Sequence, residues 1–251
     1  MYQRNNFQLN NYTLISGATS TLGTQIVKKL APKKNLILHG TSKSKLEILK
    51  KKLKKKKLIK SWVCDFTNLD NISKSYKENF KGLYISDFIH CAGISKILKI
   101  KDFYKECYLN IFNVNLFSAI EIIKNITSKL NISKLNNIIL ISALYSKFGS
   151  KFNSMYSCSK GALNSLCKSL AVELAPVKVN SILPGSIKSK MTKNLYKNRK
   201  YKKYLLKKYL VKNRGGEEIA SFVYYLIFSE NWITGQEIII DGGASTNLFS
   251  E

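Results

Sequence analysis

Short runs of strand-forming residues alternate with longer segments of helical periodicity along nearly the whole chain. Parallel strands need long crossover connections, so this alternation is typical of a parallel sheet with helices on both faces. We therefore expect an α/β fold, a Rossmann-like doubly wound parallel sheet of about seven strands in a single domain. Strands are predicted near Thr13–Ser16, Leu36–His39, Ser61–Cys64, Asp87–His90, Ile138–Ser142, Val179–Leu183 and Glu237–Ile240. Helices are predicted near Leu22–Leu30, Lys45–Lys55, Leu69–Phe80, Phe103–Lys129, Ser154–Leu174 and Glu217–Phe228.

A glycine-punctuated turn, residues 17–23, follows the first predicted strand and leads into a helical pattern. A helix start offers unpaired N–H groups and the positive end of the helix dipole, which suit a pyrophosphate. Gly17 allows a sharp turn, and Gly23 allows backbone or ligand to approach closely. The spacing differs from the common Gly-x-Gly-x-x-Gly fingerprint, so a tight turn without a ligand is the alternative.

Tyr156 and Lys160 are four residues apart in a predicted helix, which places both side chains on one face. An ammonium close to a phenol favours the phenolate and lowers the tyrosine pKa from about 10. Such a tyrosine can exchange a proton with an alcohol or a carbonyl. Most Tyr-x-x-x-Lys pairs are simply exposed helix residues, and the glycine turn is what favours a catalytic interpretation here.

In order and spacing, these motifs and several others resemble the short-chain dehydrogenase/reductase family. Two of the three glycines in the family's Thr-Gly-x-x-x-Gly-x-Gly pattern are matched, by Gly17 and Gly23, and Thr21 replaces the middle one. Residues 90–93, His-Cys-Ala-Gly, stand where Asn-Asn-Ala-Gly is usual. The resemblance implies catalytic roles for Tyr156, Lys160, Asn115 and Ser142. It also implies a nicotinamide cofactor bound by Gly17, Thr19, Ser20, Thr21, Leu22, Gly23, Thr41, Ser42, Lys43, Asp65, Phe66, Cys91, Ala92, Gly93, Tyr156, Lys160, Pro184, Gly185, Ile187 and Ser189.

By the same resemblance, Tyr156 is the acid or base, and Lys160 lowers its pKa and holds the nicotinamide ribose. Asn115 holds a water that links Lys160 to solvent. The family's catalytic serine would stand thirteen residues before the tyrosine, where this chain has Ala143. Neighbouring strand residues face opposite ways, so Ser142 replaces that serine only if the strand has ended or bulged. Ser146 is a second candidate.

The residues after the second predicted strand indicate the cofactor. An NAD site tends to place a carboxylate there, on the ribose 2′-OH. This chain has Thr41, Ser42 and Lys43 instead, which could bond a 2′-phosphate. We therefore expect NADP(H) to be preferred over NAD(H), with a lysine that merely begins a helix as the alternative.

The formal net charge of +27 is unusual for 251 residues. Lysine runs such as 50–57, and the tyrosines within the basic stretch 188–212, could contact nucleic acid. Lysine is abundant everywhere in the chain, so we expect no nucleic-acid binding and favour an acidic partner attracted over long range. Five cysteines without a Cys-x-x-Cys pair indicate free thiols, and two distant histidines indicate no metal site. With no predicted membrane span or signal peptide, we expect a cytoplasmic protein.

We therefore expect an NADP(H)-dependent oxidoreductase that interconverts a ketone and a secondary alcohol, with 3-oxoacyl-carrier-protein reductase as the favoured activity. The alternatives are a reductase of a sugar or surface-polysaccharide precursor, a low-activity cofactor-binding relative without the serine, and a nucleic-acid-binding protein. Residues 1–10 are expected to form an N-terminal extension of the domain 11–251. Residues 189–212 are expected to form a substrate lid, in which Leu195, Tyr204, Leu205, Tyr209 and Leu210 give a helix pair an apolar face. The resemblance also implies a homotetramer.

Overall fold

The computed structural model describes residues 11–53, 57–128, 131–211 and 216–247. The predicted N-terminal extension, 1–10, lies outside the described residues. So do 54–56 of the lysine run, 129 at the end of the predicted fourth helix and 212 at the end of the predicted lid.

Seven strands form one parallel sheet, which confirms the predicted architecture. Their order is β3-β2-β1-β4-β5-β6-β7, so the direction of winding reverses between β1 and β4. In such sheets a ligand binds outside the carboxyl ends of the strands at this switch point. The strands are β1 (Asn11–Ser16), β2 (Asn35–Gly40), β3 (Ile59–Val63), β4 (Tyr84–His90), β5 (Asn137–Ile141), β6 (Lys178–Pro184) and β7 (Glu237–Ile240).

The sheet is covered on both faces, which explains why its central strands are apolar without alternation. Neighbouring residues enter opposite cores: Leu14 packs with one cluster and Ile15 with the other, as do Phe88 and Ile89. The helices α3, α5 and α6 pack on the first face, and α1, α2 and α9 on the second. The helices are α1 (Thr21–Leu30), α2 (Lys43–Lys51), α3 (Asp70–Phe80), α4 (Lys105–Phe112), α5 (Ser118–Ile126), α6 (Ser154–Glu173), α7 (Lys193–Lys197), α8 (Arg199–Lys208) and α9 (Glu217–Phe228).

The helix predicted over 103–129 is interrupted. A π-helical turn, Asn113–Phe117, joins α4 to α5 and contains Asn115. Such a turn widens the hydrogen-bonding pattern by one residue and frequently marks a functional site. Apolar periodicity does not reveal it, because the pattern continues on either side of the turn.

Asp87 links three strands and a loop from inside the sheet. Its carboxylate is almost completely buried and accepts hydrogen bonds from Thr13 at 3.0 Å, Lys34 at 2.8 Å, Ser86 at 2.8 Å and Asn137 at 2.7 Å. A buried charge is tolerated when its partners satisfy it in this way.

We expect Asp87→Ala to lower the free energy of unfolding by about 3–5 kcal/mol, because buried donors lose their acceptor. Glu121→Ala is the matched control, since the Glu121–Lys124 pair is also 2.8 Å long but lies at the surface. That variant should lose about 1 kcal/mol or less. Urea denaturation measures both, and equal losses would contradict the role given to Asp87.

Candidate active site

A cavity of about 880 Å³ opens at the carboxyl edge of the sheet, beside the β1–β4 switch point. Such a volume is typical of a site for a cofactor or another sizeable ligand. The glycine turn forms one end of the cavity, and Tyr156 and Lys160 lie on its wall. The predicted residues on this wall are Gly17, Thr19, Ser20, Thr21, Leu22, Thr41, Asp65, Phe66, Cys91, Ala92, Gly93, Ser142, Tyr156, Lys160, Pro184, Gly185, Ile187 and Ser189.

The glycine turn depends on close backbone packing. Gly17 has φ +62°, and a Cβ there would lie 2.8 Å from the backbone of Ala92. Gly23 packs against the turn rather than lining the cavity, since its Cβ would lie 2.3 Å from the Gly17 carbonyl oxygen. The hydroxyl of Ser20 caps α1 by accepting from Gly23 N at 2.9 Å. The start of α1 thus faces the cavity, as a phosphate site requires.

The residues after β2 that line the cavity are not all the ones predicted. Thr41 lines the cavity, but Ser42 and Lys43 do not. The Ser42 hydroxyl caps α2, accepting from Lys45 N at 3.4 Å, and Lys43 is exposed in the first turn. Lys45 lines the cavity instead. The helix predicted to start near Lys45 begins at Lys43, so the faces that the two lysines occupy differ from the prediction.

His39, at the end of β2, supports the glycine turn from below. Its ring stacks on Phe66 with centroids 3.7 Å apart and planes 3° from parallel. Gly17 N donates to Nδ1 at 3.2 Å, so Nε2 carries the hydrogen that Cys64 O accepts at 2.9 Å. Burial lowers the pKa of His39 to about 4, and the ring is therefore neutral.

Lys160 and Tyr156 share the cavity, but the expected lowering of the tyrosine pKa by Lys160 is wrong for this structure. Lys160 Nζ donates to Ile141 O at 2.7 Å. Burial lowers the pKa of Lys160 to about 8, while burial and the neighbouring Cys91 raise the pKa of Tyr156 to about 12. Removal of both groups from water disfavours their charged forms.

Asn115 lies behind the cavity wall and joins the loop after β4 to α6. Its Oδ1 accepts from Ile94 N at 2.8 Å, and its Nδ2 donates to Ile94 O and to Ser159 Oγ, both at 2.9 Å. Ser159 Oγ in turn donates to Tyr156 O at 2.7 Å. Gly93 packs between Asn115 and Lys160, since a Cβ there would lie 3.5 Å from Asn115 Oδ1 and from Lys160 Nζ.

His90 connects Asn115 to the end of β1. Ser16 Oγ accepts from Cys91 N and Ala92 N, both at 3.1 Å, so its hydrogen goes to His90 Nδ1 at 3.0 Å. His90 Nε2 therefore carries a hydrogen and donates to Asn115 O at 3.2 Å. Burial, with Lys160 nearby, lowers the pKa of His90 to about 3.

The two candidate serines donate elsewhere. Ser142 lines the cavity, but its hydroxyl donates to Lys160 O at 3.0 Å. Ser146 donates to Ala143 O at 2.6 Å and accepts from Asn164 at 2.8 Å. The prediction that Ser142 holds the substrate therefore does not match its geometry, because its hydrogen is used to bind the backbone of α6.

The far wall consists of the segment predicted as a lid. Tyr196 and Tyr209 both donate to Ser186 O, at 2.9 and 3.0 Å. Leu210 N and Val211 N donate to Gly242 O, which ties the end of the segment to the chain after β7. The side chains of Leu195, Tyr204 and Leu205 lie outside the described residues. Wall residues that sequence analysis missed include Ile94, Ile97, Leu144, Tyr145, Phe148, Asn153, Lys190, Met191, Lys208, Ala244 and Ser245.

Across ranges 11–53, 57–128, 131–211 and 216–247, no three His, Cys, Asp or Glu side chains are grouped so as to hold a metal ion. In those ranges, no helix has the length and apolar character needed to cross a bilayer.

Known proteins resemble this chain in sequence and in fold. The short chain dehydrogenase family model matches residues 11–200, so the chain belongs to the short-chain dehydrogenase/reductase family. It is an NAD(P)-dependent oxidoreductase acting on CH–OH groups. A 3-oxoacyl-(acyl-carrier-protein) reductase FabG of Buchnera aphidicola subsp. Baizongia pistaciae is 33% identical over 92% of this chain and 95% of its own length.

Two further comparisons extend the likeness. A tropinone reductase homologue of Arabidopsis thaliana is 28% identical over 94% of this chain and 92% of its own length. The solved structure of a 4-hydroxyisoleucine dehydrogenase complexed with NADH has a TM-score of 0.86 at 24% identity, covering 95% of this chain and all of that one. This structure shows the same fold.

We expect both histidines to remain neutral, with hydrogen on Nε2, between pH 5 and 8. Their pKa values, about 4 and about 3, lie below the value of about 6.5 in an unfolded chain. Below about pH 6.5 the unfolded state therefore binds more protons than the folded state. The free energy of unfolding falls as the pH drops from about 6.5 toward the folded-state pKa values.

Imidazole ¹⁵N shifts measure the tautomer and the titration directly. The urea-unfolded protein is the control and should titrate near pH 6.5. A native ring that titrates at that same pH would contradict the hydrogen-bond assignment.

Proposed function

We propose that this chain is an NADP(H)-dependent ketone reductase whose substrate is a 3-oxoacyl group on an acidic carrier protein. One observation carries the proposal of a working reductase: Tyr156 and Lys160 lie on the wall of the same cavity that begins at the glycine turn. The finer assignments, the cofactor and the substrate, are supported separately by the residues at either end of the cavity.

The cavity fits a dinucleotide. The start of α1 and the hydroxyls of Thr19, Ser20 and Thr21 suit a pyrophosphate, and Lys160 suits the nicotinamide ribose. Of the other predicted cofactor residues, Gly23 would act by shaping the turn. A nicotinamide bound here supplies the hydride, and all other steps belong to side chains of the protein.

Tyr156 acts as the general acid in reduction. With its pKa raised to about 12, the phenol stays protonated at neutral pH and can give its hydrogen to the carbonyl oxygen. Lys160, whose pKa burial lowers to about 8, can return a proton to the phenolate near neutral pH. Asn115 links the loop after β4 to the start of α6 by its hydrogen bonds to Ile94 and Ser159. These bonds hold Tyr156 and Lys160 on one wall of the cavity.

Thr41 and Lys45 support NADP(H). Both line the cavity after β2, where an NAD site tends to have a carboxylate, and they could bond a 2′-phosphate. In this proposal Lys45 takes the role first expected of Lys43.

We expect Lys45→Ala to raise the KM for NADPH about 10–100-fold and to leave the KM for NADH nearly unchanged. The reason is the loss of a charge-assisted bond of about 1.5–3 kcal/mol. Lys43→Ala is the matched control, because it removes an exposed lysine two residues away that does not line the cavity. Initial rates with each cofactor measure the effect, and a wild-type preference for NADH would contradict the assignment.

The substrate end of the cavity favours an acyl chain. Four large apolar side chains that are more than a third exposed, Ile94, Ile97, Phe148 and Met191, gather on its wall. Exposed apolar groups that cluster usually mark a binding surface, and this surface suits an acyl chain better than a sugar. Lys190 and Lys208 line the same cavity, and the net charge of +27 would attract an acidic carrier.

We expect Tyr156→Phe to lower kcat for an acetoacetyl thioester about 10²–10⁴-fold, the usual contribution of a general acid. Binding of NADPH, measured by fluorescence, should be retained, because the phenol is not needed to hold the phosphates. Unimpaired reduction by Tyr156→Phe would refute the mechanism. Cofactor binding by the wild type without turnover of any ketone would instead support a cofactor-binding relative, the reading favoured by Ala143.

We propose three further properties. The chain forms a homotetramer, since exposed apolar side chains lie on two separate faces: Leu109, Phe117 and Val172 on α4–α6, and Tyr225 and Trp232 near α9. Residues 189–212 act as the lid of the domain 11–251. The protein is also expected to be cytoplasmic, because its five cysteines are free thiols.

A further inference from the structure

The reductase proposed above needs a second hydrogen-bond donor beside Tyr156. Reduction places negative charge on the carbonyl oxygen before the proton has fully moved, and a donor aimed at that oxygen stabilises this charge. The position of the family's serine holds Ala143, whose methyl group lines the cavity and donates nothing. Ser142 and Ser146 donate to backbone carbonyls.

We propose that the carboxamide of Asn153 is the missing donor and that it touches the substrate carbonyl together with Tyr156. Asn153 and Tyr156 both line the cavity and are three residues apart at the start of α6. Asn153 immediately precedes α6 and Tyr156 is its third residue, so both side chains border the cavity at the N-terminal end of this helix.

The side chain of Asn153 does not cap the helix that it precedes. Asn153 is the N-cap of α6, where an asparagine oxygen ordinarily accepts from the first turn of the helix, but it makes no such bond. Its Nδ2 donates to Ser150 Oγ at 2.9 Å. Nδ2 carries two hydrogens, so this bond orients the amide and leaves a second hydrogen for a ligand.

The backbone before Asn153 is strained. Phe152 has φ +67°, the one positive φ at a non-glycine position among the described residues. Such a conformation persists when surrounding contacts hold it, and it clusters at functional sites. Here Leu98 N donates to Phe152 O at 3.0 Å and holds the turn that leads into Asn153.

In the reaction the Tyr156 O–H bond breaks and a bond from that hydrogen to the carbonyl oxygen forms. A reduced nicotinamide bound in the cavity would supply the hydride, with its electron pair, to the carbonyl carbon. Asn153 gives up no atom. The hydrogen bond from its N–H group to the oxygen strengthens as charge develops, which lowers the barrier without changing the stoichiometry.

A double-mutant cycle tests the inference, with NADPH and an acetoacetyl thioester as the probes. Asn153→Ala should lower kcat about 10²–10³-fold, the range for loss of one such donor. The KM for NADPH and the thermal midpoint should change little. The Ala143→Ser background restores a hydroxyl at the family position. In that background Asn153→Ala should lower kcat less than about 5-fold, because the new serine can donate the hydrogen bond that the asparagine no longer provides.

Two matched variants sharpen the test. Asn153→Asp keeps the shape of the side chain but removes its N–H groups. It should lower kcat by as much as Asn153→Ala does. Tyr145→Phe removes a phenol from the same cavity wall, two residues after Ala143, and tests whether that phenol is the donor instead. Its kcat should fall much less than that of Asn153→Ala.

Equal losses from Asn153→Ala in the two backgrounds would overturn the inference, since they indicate a structural role. A large loss from Tyr145→Phe with none from Asn153→Ala would overturn it in favour of the phenol. Turnover that appears only after Ala143→Ser would show that the natural chain has no donor. In each case the effect of Tyr156→Phe decides separately whether the proposed reductase itself stands.

Discussion

The hydroxyl of Ser16 holds the two halves of the sheet together at the site. It accepts from two successive backbone N–H groups after β4 and donates to His90, so the end of β1 and the loop after β4 are fixed to each other. His90 in turn donates a hydrogen bond to the backbone carbonyl of Asn115 and so fixes the position of the π-helical turn. Because all three residues are completely buried, water cannot replace these bonds, and the cavity between the strands keeps its shape.

Burial also sets the electrostatics of the catalytic pair. Lys160 and Tyr156 are shifted in opposite directions, toward a neutral amine and a neutral phenol. A phenol that retains its hydrogen suits the donation of a proton during reduction. The protonation states of both groups therefore follow from how little water reaches the two side chains.

The glycine turn and the catalytic pair could be recognised from sequence because each is a local pattern. Gly17 and Gly23 mark a turn that only small residues permit, and Tyr156 and Lys160 are separated by one helical turn. The roles of neighbouring residues depended on contacts across the fold. Lys45 lines the cavity where Lys43 was expected, since the first residue of α2 decides which lysine borders the cavity. The hydroxyl of Ser142 is taken by a carbonyl of α6, a residue 18 positions away.

The sequence by itself determined the parallel sheet, its strands and the place of the glycine turn, because apolar periodicity and glycine chemistry act over a few residues. The tertiary structure alone decided the π-helical turn at Asn115, the neutral tautomers of His39 and His90 and the direction of the tyrosine pKa shift. It also decided that Asn153 borders the cavity. Each of these features depends on contacts between residues far apart in sequence and on their burial, and a short sequence pattern contains neither.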